Sequence, residues 1–173
     1  MSSEELFEYG IQTERSDVRA HVSAVNRSVY VFPTANAIAA IEREQPVLRT
    51  ATQPGVQGPT AEGWLVRPEW IADLRTLRFL SWSGWPEYNA TMTTSEKGAW
   101  AVRCVIEAMR IGRFPFWVDA TEDERADVQI EGTDILVFCR KRVQVKCDAR
   151  SGPPPGTGNL FIQRAERNPL KRH

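Results

Sequence analysis

Histidine and cysteine are scarce in this chain. The only histidines are His21 and His173, and the three cysteines, Cys104, Cys139 and Cys147, form no CxxC or Cys/His spacing. That pattern argues against a structural zinc site, and buried free thiols are the expected state of the cysteines. Long apolar runs are also missing. No stretch approaches the roughly 20 residues that cross a bilayer, and Met1 to Gly10 is acidic rather than signal-like. The expectation is a soluble, cytoplasmic protein with no membrane partner.

Net charge is the third absence, 22 Lys and Arg standing against 22 Asp and Glu. A neutral chain has no general attraction to nucleic acid, but the distribution is uneven. Between Phe114 and Phe138 the acids Asp119, Glu122, Asp123, Glu124, Asp127, Glu131 and Asp134 meet one base, Arg125. From Cys139 onward Arg140, Lys141, Arg142, Lys146, Arg150, Arg164, Arg167, Lys171 and Arg172 outnumber Asp148 and Glu166. An acidic patch beside a basic one suits a metal site next to a phosphate-binding surface. Ordinary solvated loop charges account for most of these residues taken singly.

What the chain does have is enough apolar material to fold. It is 173 residues long, 42% hydrophobic, with six Trp, which suits one medium domain or a small domain with an elaborated half. Residues 1–92 read as an N-terminal α/β region and residues 93–173 as the core that carries the chemistry. In the first region a short helix is expected near Ser3 to Tyr9, a strand at Ser28 to Phe32, and an Ala-rich helix from Ala35 to Glu44 capped by Thr34 and ended by Gln45-Pro46. Thr50 to Gly63 reads as a loop. Strands at Trp64 to Val66 and Thr76 to Trp82 enclose a short helix opened by Pro68. Trp82, Trp85 and Tyr88 can stack on bases or pack against a core, and packing is the commoner use.

The second region begins with a strong helix, Ser95 to Arg110, capped by Thr94 or Ser95 and stopped at Gly112. Its apolar surface implies that it lies against a sheet. Phe114 to Val118 reads as a strand, Asp127 to Ile130 as a short one, Ser151 to Gly158 as a mobile turn-rich loop and Asn159 to Gln163 as a last strand. Between them, Thr133 to Cys139 and Arg142 to Cys147 form a hairpin. With Arg140 to Arg142 as a three-residue loop, Cys139 faces Val143, and Asp134, Leu136 and Phe138 share a face with Gln144, Lys146 and Asp148. A one-residue slip would invert every side chain. The chosen register gives Lys146, a polar group in an otherwise apolar strand, an acid as partner.

Asp134 in EGTDILVF, then Gln144 and Lys146 in RVQVKCD, followed by GNLFIQ, resembles the PD-(D/E)xK nuclease superfamily in its variant with a Gln-x-Lys second motif. The resemblance covers roughly the second half. It implies a restriction-endonuclease-like α/β (α+β) fold, a mixed sheet flanked by helices. It also implies a metal-dependent deoxyribonuclease of restriction-like, junction-resolving or phage type, with DNA as partner and a homodimer as the assembly. Asp134, Gln144 and Lys146 are the implied catalytic set. Asp134, the Gln144 amide and the Val145 backbone carbonyl are the implied ligands for Mg²⁺ or Mn²⁺. In the family's helix an acid falls where this chain has Val102, which leaves Glu107 as substitute or as a member of helical pairs with Arg103 and Arg110. Gln in place of Glu removes a charge unless Glu107, Glu131 or Asp148 compensates, and Gln163 is an accessory candidate. Arg140, Lys141, Arg142, Arg150, Arg164 and Arg167 are the candidate DNA contacts. Other readings stay open: a non-catalytic nucleic-acid-binding or assembly protein of the same fold, an unrelated α/β protein in which the motif arises by chance, and, for the residue set itself, a buried salt bridge of Asp134 with Lys146 beside an amide.

Overall fold

A computed structural model describes residues 17–51, 61–78, 87–111, 117–119, 135–137 and 141–163. The architecture is a mixed α/β fold, a central mixed sheet flanked by helices. Six strands run in the order β5-β2-β1-β8-β7-β6. They are β1 (Val18–Ser23), β2 (Ser28–Pro33), β5 (Arg75–Arg78), β6 (Trp117–Asp119), β7 (Ile135–Val137) and β8 (Lys141–Cys147). Neighbours pair antiparallel except β1 and β8, which run parallel at the centre, Val18 opposite Val143 and Val22 opposite Cys147. Residues on both sides of position 92 therefore build one sheet.

Strand alternation sorts the two faces. Ala20, Val22, Val29, Val143 and Val145 point to one face, where the helix α2 (Thr94–Ile111) covers them with Trp100, Ala101, Cys104, Val105 and Ala108. These helix positions repeat every three to four residues, so a single stripe is buried. Its N-terminus is closed by a capping box: the Glu96 amide donates to Thr93 Oγ1 at 3.2 Å and the Thr93 amide to Glu96 Oε2 at 2.7 Å. The cap is thus Thr93, one residue before the sequence expectation. Tyr88 packs edge-on against Trp100 at 4.9 Å, a core use of that aromatic; Trp82 and Trp85 lie outside the described residues.

The second face carries Tyr30 and Phe32, against which α1 (Thr34–Glu44) lays Ala37, Ile38 and Ile41. Thr34 is the first helical residue and Pro33 the cap, with no side-chain hydrogen bond, because the chain leaves β2 directly into the helix. Gln45 ends it in the left-handed region (φ 46°), its amide donating to the Ile41 carbonyl. A three-stranded antiparallel sheet, β3 (Leu48–Ala51), β4 (Ala61–Val66) and β9 (Leu160–Gln163), completes this layer through Trp64, Val66, Leu160 and Ile162. Two edges of the expected 50–63 loop are therefore strand. The expected helix at Pro68 shortens to one 3₁₀ turn, Pro68–Trp70. Gly63 sits where β4 passes β9, and a Cβ there would strike the Ile162 carbonyl and the Phe161 ring, so this crossing requires glycine.

The Ser151 to Gly158 segment is tied down rather than mobile. Ser23 Oγ donates to the Ser151 carbonyl at 2.8 Å and Asn26 Nδ2 donates to the same oxygen. Gly158 and Thr157 amides donate to the carbonyls of Gly152 and Arg150 at 2.7 and 2.8 Å. Proline and glycine here shape a closed turn whose backbone groups are satisfied internally.

Candidate functional site: the polar row of the central strands

The hairpin forms, with a different register. Leu136 faces Arg142 and Val137 faces Lys141, so residues 138–140 connect the strands, and Ile135 rather than Cys139 faces Val143. Lys141 and Arg142 are strand residues and not loop. The register is thus shifted by an even number of positions, with Leu136 in the ladder opposite Arg142. Asp134, Arg140, Arg164 and Arg167 lie outside the described residues, as do Glu131 and the expected strand at Asp127 to Ile130.

Gln144 and Lys146 stand on the face opposite α2, both half-buried. Glu107, half-buried on α2, belongs to the layer on the other side of the sheet and is not brought beside them. Val145 is in the ladder with Ala20, its side chain in the α2 core. Gln163 is on β9 opposite Gly63, in the second sheet. Arg150 is exposed just beyond β8.

The parallel pairing with β1 adds residues that the sequence reading passed over. Arg19 lies opposite Gln144 and His21 opposite Lys146, and paired residues in a ladder share a face. The row is therefore Arg19, His21, Gln144 and Lys146, closed by Asp148. His21 is fully buried, its ring 5.3 Å from Phe32. Its Nδ1 is 3.6 Å from Asp148 Oδ2, too long for a hydrogen bond. The Asp148 carboxylate accepts from the Phe161 amide at 2.9 Å, which fastens β9 to the end of β8. The signal for these residues was present: Val18 to Ser23 alternates apolar and polar without a break.

Burial drives the His21 pKa below its usual value, Arg19 and Lys146 push the same way, and Asp148 opposes them. Burial also lowers Arg19 to about 10. The folded protein thus holds His21 neutral where the unfolded chain takes up a proton. Above about pH 6.5 neither state is protonated at this site and its contribution to stability is complete. As pH falls from there toward the lower folded value, the unfolded state binds more protons and stability falls, by up to about 1.4 kcal/mol per pH unit. Urea unfolding between pH 7.5 and 5 should show this slope in the wild type and a slope shallower by one proton in His21→Gln; equal slopes would assign the acid sensitivity elsewhere.

No family model, curated protein or solved structure matches the chain.

Among the described residues no three His, Cys, Asp or Glu side chains gather as metal ligands. The oxygen donors at the row are the Gln144 amide and the Asp148 carboxylate, both of a type that suits a hard cation. A separate groove of ≈ 940 Å³ opens on the β2–β5 side of the same face, lined by Tyr30, Arg67, Thr76, Arg78 and Asn159 among others. It touches neither Gln144 nor Lys146, so size and chemistry point to different places, and the row is the one with reactive groups. No helix of the described residues is long and apolar enough to cross a membrane.

Proposed function

We propose that the chain is a metal-dependent endodeoxyribonuclease that hydrolyses phosphodiester bonds in DNA, acting as a homodimer so that two sites address two strands. One observation carries the reading: Gln144 and Lys146 stand together, half-buried, on the polar face of a central strand whose other face is core. An amide beside an ammonium suits a phosphate with its attacking water. Lys146 orients that water and stabilises charge on the phosphate; Gln144 offers its amide oxygen. The reading assigns Asp134 as the anionic ligand, with Gln144 and the Val145 carbonyl beside it. Mg²⁺ or Mn²⁺ bound there supplies Lewis-acid activation of water and phosphate.

The neutral Gln144, where a carboxylate would hold metal more tightly, favours a second reading, a nucleic-acid-binding or assembly protein of the same architecture. Incubation of plasmid and branched DNA with Mg²⁺ or Mn²⁺ separates the two. The endonuclease cleaves, and Asp134→Ala abolishes both cleavage and metal binding. Intact DNA with every substrate, together with no metal binding by the wild type, would leave the binding protein.

A further inference from the structure

Among the described residues Arg19 is a buried cation with an unsatisfied donor. Its side chain is 3% exposed, its Nε has no hydrogen-bond partner, and among the described residues no carboxylate pairs with it. A guanidinium withdrawn from water without counter-charge is strongly unfavourable, and an unsatisfied buried polar group calls for an explanation. Burial lowers its pKa to about 10.

Its place in the ladder supplies the explanation. Phe32 flanks it on β2 and Gln144 on β8. The β8 neighbours Gln144 and Lys146 are half-buried, so exposure along the row rises from β1 to β8. A group seated at Gln144 and Lys146 lies about one strand spacing, roughly 4.8 Å, from the strand that carries Arg19, within reach of a long side chain. Asp148, at the far end of the row, accepts from the Phe161 amide. The guanidinium has five N–H donors in a planar fork that matches phosphate oxygens.

We propose that Arg19 is an anion receptor that donates to the oxygens of a phosphate group seated beside Gln144 and Lys146. The proposal deepens the endonuclease reading for a strand phosphate, and holds equally for a free phosphate. Arg19 binds and positions the group; the proton chemistry belongs to Lys146.

The test is thermal unfolding of the full chain at constant ionic strength, in chloride, in inorganic phosphate, and with a short oligonucleotide without divalent cation. The wild type is stabilised by phosphate relative to chloride. Arg19→Met melts at a higher temperature than the wild type in chloride, because the uncompensated charge is gone, and loses the phosphate-dependent shift. Arg19→Lys folds with its charge but without the fork and binds phosphate about tenfold more weakly. It serves as the decisive variant if Arg19→Met does not melt cooperatively. Stabilisation by inorganic phosphate alone assigns a free anion, and by the oligonucleotide as well a strand phosphate; either upholds the receptor. An equal phosphate shift in wild type and Arg19→Met, equal phosphate affinity in wild type and Arg19→Lys, or no shift in the wild type with either probe, overturns it. Phosphate binding through Arg19 in a protein that never cleaves DNA would remove the endonuclease reading and leave this one standing. Equal cleavage by wild type and Arg19→Met would do the reverse.

Discussion

Lys146→Ala is expected to lower DNA cleavage by about 10²–10⁴-fold, the usual worth of a positioned proton-transfer group, with the fold kept. Lys146 is half-buried on a strand whose packing comes from Val143 and Val145 on the other face, so truncation removes charge rather than core. Lys146→Arg restores the charge but places a fork that holds its proton at neutral pH. It should recover DNA binding and little cleavage. Single-turnover cleavage with Mn²⁺, alongside DNA binding without divalent cation, separates the two properties. Cleavage by Lys146→Ala within about threefold of the wild type would show that Lys146 has no part in the chemistry, whatever cleaves the DNA.

The largest expected loss of stability comes from Phe32→Ala. Phe32 is 1% exposed and lies in the core cluster that joins β2 to α1 and to the three-stranded sheet, and its ring also covers His21. Removing a buried aromatic costs about 3–5 kcal/mol, a large share of the roughly 5–15 kcal/mol that holds a typical domain together. The cavity would open between β2 of the six-stranded sheet and the layer of α1 and the three-stranded sheet. Urea unfolding should show a much lower midpoint with an unchanged slope. A loss below about 1 kcal/mol would mean that the second layer is held mainly by other contacts.

Local pattern was legible in the sequence; partners distant along the chain were not. Ser28 to Phe32 shows its strand through β-branched and aromatic residues, and the Thr94–Ile111 helix shows itself through its stripe and its acid near the start. The hairpin was legible from its two apolar runs, but its register was not: Ile135 rather than Cys139 faces Val143. The parallel neighbour of β8 left no local trace, since nothing in RVQVKC specifies that VRAHVS will lie beside it. The alternation of Val18 to Ser23 marks a strand, but not its place beside Gln144 and Lys146. GNLFIQ was recognisable as a strand, but its pairing with β4 across some 100 intervening residues was not. Proline and glycine at residues 151–158 were read as mobility because composition does not reveal which carbonyls Ser23 and Asn26 will reach.

The parallel pair at the centre of the sheet also sets a schedule for synthesis. The edge of β1 that receives β8 is made about 120 residues before its partner, and at ordinary translation rates that gap lasts on the order of ten seconds. During that interval the β1–β2 ribbon has one side complete and the other an open row of amides and carbonyls. An open row of this kind is a template for pairing with a neighbouring nascent chain. Ribosome stalling or premature termination before Lys141 would make the exposure permanent, so polysomes carrying this message are where mispaired copies of the chain would first accumulate.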